Sequence, residues 1–187
     1  MANTLPMWMT WGRIILIPVF ILLYYLPIES AHFWGALAFM IAAITDWLDG
    51  FLARRLGSTS KLGAFVDPVA DKLAVGAALV MVAAEYQQLL VTLSAIVIIM
   101  RELAISGLRE WMAEHNIREV VAVSRLGKWK TAIQLAALTW LLYGDTLWGI
   151  NWGALGFPAL YLAALLTLIT WIEYMRSAWP HLRKTLQ

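Results

Sequence analysis

Cysteine is absent from the chain. That excludes disulfides, a thiolate nucleophile and Cys-ligated zinc. Histidine is nearly as scarce: His32, His115 and His181 are the only three, and all fall in predicted loops or the tail. A histidine triad has no foundation here. Charge is thin as well, at 14% of residues, where a soluble domain carries about 25%. The net charge of +2 is too small to suggest a nucleic-acid partner. No Pro-, Gly- or Ser-rich stretch marks a linker, and no repeat period is visible. What fills the chain is apolar: 61% of its residues are hydrophobic and its mean hydropathy is +0.71. Residues 1–187 therefore read as one integral-membrane domain, all-α and polytopic, with little mass outside the bilayer.

A helix of about 20 apolar residues spans a bilayer. Six stretches meet that length, at about 8–27, 33–54, 63–84, 88–110, 127–148 and 154–176. The first has no basic residue before Arg13, and "PIESAHFWG" offers no small-x-small cleavage site, so it is expected to be retained rather than removed as a signal peptide. The loops divide by charge. "LPIESAH", "AAEYQQLL" and "YGDTLWGIN" contain no Lys or Arg, whereas the opposite set holds Arg54, Arg55, Lys61, Arg109, Arg118, Arg125, Lys128, Lys130, Arg183 and Lys184. Basic loops stay cytoplasmic, so both termini are expected there. Many of the eleven tryptophans lie near segment ends, as interfacial aromatic belts do.

One stretch conflicts with this apolar background: "DWLDGFLARRLGSTSKLGAFVDPVADK". Asp46 and Asp49 are three apart on the second segment; Asp67 and Asp71 are four apart on the third. Both spacings place the pair on one helix face. At a rise of 1.5 Å per residue, Asp46 lies roughly 12 Å inward of Arg54 and Asp71 roughly 15 Å inward of Lys61. All four acids thus share one depth in the cytoplasmic half. Their combined insertion cost is on the order of 10 kcal/mol, which a divalent cation would offset. Oxygen ligands without His or Cys select Mg²⁺, Mn²⁺ or Ca²⁺, and four acids suffice for two ions a few ångströms apart. Gly50, Gly63 and Ala53 leave room for close approach of helices or ligand. Pro68 removes one helical hydrogen bond and is expected to kink its helix.

The spacing Asp46-x-x-Asp49-Gly50-x-x-Ala53-Arg54, eight residues, Gly63, three residues, Asp67, three residues, Asp71 resembles without a gap the D-x-x-D-G-x-x-A-R-x8-G-x3-D-x3-D motif of the CDP-alcohol phosphatidyltransferases. The resemblance extends over essentially the whole chain. "GAFVDPVADK", "MRELAISGLREWMAE" and "GKWKTAIQ" make it most similar to the bacterial branch that produces phosphatidylglycerophosphate. At the N-terminus, "PMWMTWGR" keeps Pro6, Thr10 and Arg13 but has Met7 where the family often shows Asn.

The resemblance implies a six-helix enzyme of the bacterial inner membrane, multi-pass, surrounded by membrane lipids and often homodimeric. It implies transfer of the phosphatidyl group from CDP-diacylglycerol to sn-glycerol 3-phosphate with release of CMP, assisted by Mg²⁺ or Mn²⁺. Asp46, Asp49 and Asp67 would hold metal and pyrophosphate; Asp71 would be the general base and a further metal ligand. Thr10, Arg13, Asp49, Gly50, Ala53, Arg54 and Gly63 would contact the donor's nucleotide or pyrophosphate. An anionic acceptor needs cations, and the candidates are Arg101, Arg109, Lys128 and Lys130. Arg101 is the sharpest because it interrupts "VIIMRELAISG", where charge is costly; its competing reading is an ion pair with Glu102 or Glu173. Arg101 and Arg109, eight apart, are expected to share a helix face and to grip one anion from two depths. Lys72 could pair with the acids or face the cytoplasmic cavity. Another acceptor within the family (inositol, inositol phosphate, serine or a phospholipid) remains an alternative. An intramembrane prenyltransferase is disfavoured because both acid pairs lie within 26 residues, and a divalent-cation transporter because no inverted repeat is visible.

Overall fold

The computed structural model describes residues 5–56, 61–114 and 125–185. Six helices account for nearly all of them: α1 (Leu5–Tyr24), α2 (Ala31–Leu56), α3 (Lys61–Tyr86), α4 (Leu89–Glu114), α5 (Arg125–Tyr143) and α6 (Trp152–Thr185). Each covers most of one predicted apolar segment. The differences lie at the ends and have local causes. Helix α1 stops at Tyr24 rather than 27, since Pro27 disfavours helical backbone at the residue before it. Helix α5 stops at Tyr143 rather than 148, because Gly144 takes φ +69° and the chain enters a short ladder. That ladder pairs β1 (Thr146–Leu147) with β2 (Ile150–Asn151) antiparallel, and positive φ at Trp148 and Gly149 closes its two-residue turn. Asn151 then caps α6, its Oδ1 accepting from the Ala154 amide at 2.9 Å. Helix α6 continues to Thr185, past the last apolar residues, because Arg176, Arg183 and Lys184 are good helix formers outside an apolar run.

Helix α3 is the centre of the arrangement and packs against α1, α2, α4 and α5. Only residues 57–60 separate α2 from α3, and the two are in contact, so they form an antiparallel hairpin. Helix α6 closes the other side against α4 and α5. The core is mostly apolar: Phe20, Phe39, Leu79, Ile98, Leu138, Leu141 and Leu160 are fully buried, with Phe20 and Phe39 edge-to-face at 5.6 Å.

The outer surface is apolar too. Ile15, Leu22, Val80, Leu90, Met100, Leu103, Leu165 and Ile172 are exposed. Leu89–Ala113 and Trp152–Trp179 are long and apolar enough to cross a membrane, and only 28% and 33% of their apolar windows are buried within the protein. The core helix of a soluble protein would bury most of such a stretch. These helices instead present apolar surface outward, as hydrocarbon requires.

The α5–α6 contact depends on a missing side chain. A Cβ at Gly156 would come within 2.6 Å of Leu141 Cγ and 3.2 Å of the Leu141 amide nitrogen. Gly156→Val is therefore expected to destabilise the protein by about 1–3 kcal/mol through overpacking. Gly107→Ala, whose Cβ would meet nothing within 4 Å, should leave stability unchanged or slightly raised. Thermal unfolding in detergent checks both, and equal melting temperatures for the two variants would contradict the interface.

Candidate active site

A cavity of about 90 Å³ opens where α3, α4 and α5 converge. Each helix contributes residues one and four positions apart, the spacing that lines one face. Helix α3 gives Asp71, Lys72, Val75 and Gly76; α4 gives Ile98, Ile99, Glu102 and Leu103; α5 gives Lys130, Thr131 and Gln134. The polar groups gather at one end of an otherwise aliphatic wall. A Cβ at Gly76 would meet nothing within 4 Å, so the absent side chain is itself part of the open space.

Glu102 organises the charges. Its Oε1 accepts from Lys130 Nζ at 2.6 Å and from Arg101 Nη1 at 3.1 Å. The Lys130 side chain is 4% exposed, Arg101 12% and Glu102 27%. One carboxylate thus holds two cations at the edge of the cavity. Asp71, partly buried on the facing helix, also acts electrostatically on Lys130. Two acids from α3 and α4 and two bases from α4 and α5 form one continuous polar cluster.

The structure places the sequence candidates as follows. Asp71 and Lys130 line the same cavity, and Lys72 lines it beside Asp71. Arg101 borders it through Glu102 and makes the ion pair that was its competing reading. Arg109 is exposed, with its guanidinium 5.8 Å from the centre of the Tyr174 ring on α6. Eight residues carry a helix about 80° past two full turns, so Arg109 turns to α6 while Arg101 turns to Glu102. The side chains of Thr10, Arg13, Asp46, Asp49, Gly50, Ala53, Arg54, Gly63, Asp67 and Lys128 lie outside the described residues, as does Arg118. Their helices are described: Thr10 and Arg13 fall on α1, Asp46 to Arg54 on α2, Gly63 and Asp67 on α3, and Lys128 on α5.

No group of three metal-ligating side chains occurs among the described residues, and three of the four acids predicted to bind metal are not among them. The framework suits a cation nonetheless. Asp71 is partly buried at a cavity, the other three acids sit on the same helix or on α2 packed beside it, and an all-carboxylate set matches hard divalent ions.

Glu102, Thr131 and Gln134 were not singled out as site residues from sequence. Glu102 had a detectable signal, a carboxylate inside the apolar span Leu89–Ala113. Gln134 had a weaker one, its position four residues after Lys130 on one helix face.

Removing Glu102 would leave two buried cations without their shared partner. Glu102→Ala is expected to cost about 1–3 kcal/mol, discounted from the fully buried case for its partial exposure. Glu110→Ala, at an exposed position of the same helix, should stay within about 0.5 kcal/mol. Unfolding of both variants side by side tests the bridge, and a neutral Glu102→Ala would contradict it.

Comparison with known proteins accords with this arrangement. The profile of the family described as CDP-alcohol phosphatidyltransferase matches residues 3–175. The chain is 47% identical over 178 residues to the CDP-diacylglycerol–glycerol-3-phosphate 3-phosphatidyltransferase of Escherichia coli strain K12, covering 95% of this chain and 96% of that one. The protein of the same name from Shigella flexneri serotype 5b matches to the same extent. Among solved structures, apo phosphatidylinositol phosphate synthase of Mycobacterium tuberculosis superposes with a TM-score of 0.63 over 95% of this chain and 88% of that one. Their sequences are 17% identical, so this likeness speaks to the fold. The chain belongs to the CDP-alcohol phosphatidyltransferase family.

Proposed function

We propose that this protein transfers the phosphatidyl group of CDP-diacylglycerol to sn-glycerol 3-phosphate, giving phosphatidylglycerophosphate and CMP. The observation that carries the reading is the convergence of Asp71 and Lys130 on one cavity, in a chain 47% identical over 95% of its length to an enzyme named for that reaction.

The chemistry follows from the groups. An alcohol is a weak nucleophile, so a base must take its proton as it attacks. Of the two carboxylates at the cavity, Glu102 is committed to Lys130 and Arg101, and Asp71 would fill that role. The acceptor oxygen forms a bond to the lipid-side phosphorus while the bond to the CMP oxygen breaks. The proton passes to Asp71, and CMP leaves with the bonding pair. Lys130 and Arg101, already held by Glu102, offer cationic donors to the acceptor's phosphate; Lys128 is a further candidate nearer the helix end. Asp46, Asp49, Asp67 and Asp71 would hold one or two Mg²⁺ or Mn²⁺ ions. Such ions neutralise pyrophosphate charge and ease departure of CMP. Thr10, Arg13, Asp49, Gly50, Ala53, Arg54 and Gly63 would receive the donor's nucleotide and pyrophosphate.

We further propose that all six helices cross the bacterial inner membrane, with both termini and the cavity's polar end on the cytoplasmic side. The outward-facing apolar residues and the one-sided distribution of Lys and Arg support that topology. The donor's acyl chains then stay in lipid while the acceptor enters from water. A homodimer is the expected assembly.

Two measurements test the reaction. Asp71→Asn should lower CMP release by about 10²–10⁴-fold while CDP-diacylglycerol still binds; a near-normal rate would remove Asp71 as the base. Exhaustive chelation should abolish turnover, and Mg²⁺ or Mn²⁺ should restore it. Full activity without divalent ions would refute the four-acid site.

A further inference from the structure

Gln134 is 3% exposed, lines the cavity, and its Oε1 is buried without a hydrogen-bond partner. A buried amide oxygen left unpaired costs about 1–3 kcal/mol, and proteins rarely keep one without a use for it. Gln134 sits one turn beyond Lys130 on α5, roughly 6 Å deeper along the helix axis. In the same wall Val75, Leu79, Ile98 and Ile99 offer no donor, and neither Lys72 nor Lys130 hydrogen-bonds to this oxygen. Thr131 is engaged elsewhere, its hydroxyl donating to the Gly127 carbonyl at 3.1 Å. A ligand entering the cavity is therefore the natural source of the missing hydrogen bond.

The proposed acceptor is a three-carbon chain with a phosphate at one end and two hydroxyls. One hydroxyl is consumed by the reaction at Asp71 and the phosphate is matched by Lys130 and Arg101. The remaining hydroxyl, on the central carbon, has no assigned partner. On the reading of the reaction given above, we infer that Gln134 is a specificity-determining residue whose side-chain amide receives this second hydroxyl. The amide's carbonyl oxygen accepts a hydrogen bond from that hydroxyl, and the pocket thereby recognises a phosphorylated polyol rather than a simple hydroxyalkyl phosphate. Without the hydroxyl, Gln134 Oε1 stays unpaired in the closed site, which is how a polar pocket rejects an analogue that lacks one group.

The test is a competition between sn-glycerol 3-phosphate and 3-hydroxypropyl phosphate, which lacks only the central hydroxyl. Both are supplied with CDP-diacylglycerol to the full-length enzyme. The ratio of products gives the ratio of kcat/KM and does not depend on how much enzyme is active. The wild type is expected to favour sn-glycerol 3-phosphate by about 10–100-fold. Gln134→Leu and Gln134→Met should bring that preference to within about 3-fold, since neither has a polar atom that can accept the bond well. An unchanged preference in either variant would overturn the inference. So would loss of all turnover in both variants with donor binding retained, which would place Gln134 in the reaction rather than in acceptor choice. Failure of the wild type to release CMP with sn-glycerol 3-phosphate would instead refute the underlying reaction, so the two failures are distinct.

Discussion

A carboxylate shared by two cations, at the border of an aliphatic cavity, is the constraint on which the rest of the site depends. Arg101 and Glu102 lie within the apolar span Leu89–Ala113, where neither charge is stable alone. Lys130 arrives from α5 and completes the cluster. The cost of burying these charges is offset only if α4 and α5 keep their register, so the polar cluster also fixes how the helices meet. Two cations on one carboxylate keep a net positive charge, which is available for a phosphate, a group with more acceptor oxygens than Glu102 has.

Helix α3 links this cationic side to the acidic side. It touches α1, α2, α4 and α5, and its two turns from Asp67 to Val75 connect the motif acids to the cavity wall. Asp71 faces the cavity with Lys130, while Asp67 precedes it by one turn on the same helix. The donor's pyrophosphate and the acceptor's phosphate are both anions, and they must be brought close without mutual repulsion. On the proposed reading, separate holding groups would solve that problem: acids with divalent cations for the donor, Lys and Arg for the acceptor, with the base between them. On the same reading, the apolar exterior of α4 and α6 would leave the lipid portion of the donor in a medium like its own.

Much of this was legible in the sequence because hydrophobic runs and fixed acid spacings are local. The six apolar segments correspond to the six helices, and Asp71 and Lys130, both site candidates in the sequence, line one cavity. Helix ends were less legible, since Gly144 and the Trp148–Gly149 turn shorten α5 through backbone conformation, which an apolar run does not encode. The partnership of Glu102 with Lys130 spans 28 positions and is set by helix packing, so no local spacing announces it. Gln134 was only faintly legible as a site residue for the same reason: an amide one turn past a lysine becomes notable only once its burial and its unpaired oxygen are known. Arg109 illustrates the converse. Eight positions look like two turns in sequence, but the accumulated rotation carries it to Tyr174.

The division of labour between the two sides of the cavity is tested most directly by Lys130→Met, with initial rates measured against each substrate in turn. If Lys130 holds the acceptor's phosphate, the KM for sn-glycerol 3-phosphate should rise by about 10–100-fold, while the KM for CDP-diacylglycerol stays within about 3-fold of wild type. Equal rises in both constants, or no rise in either, would contradict the account.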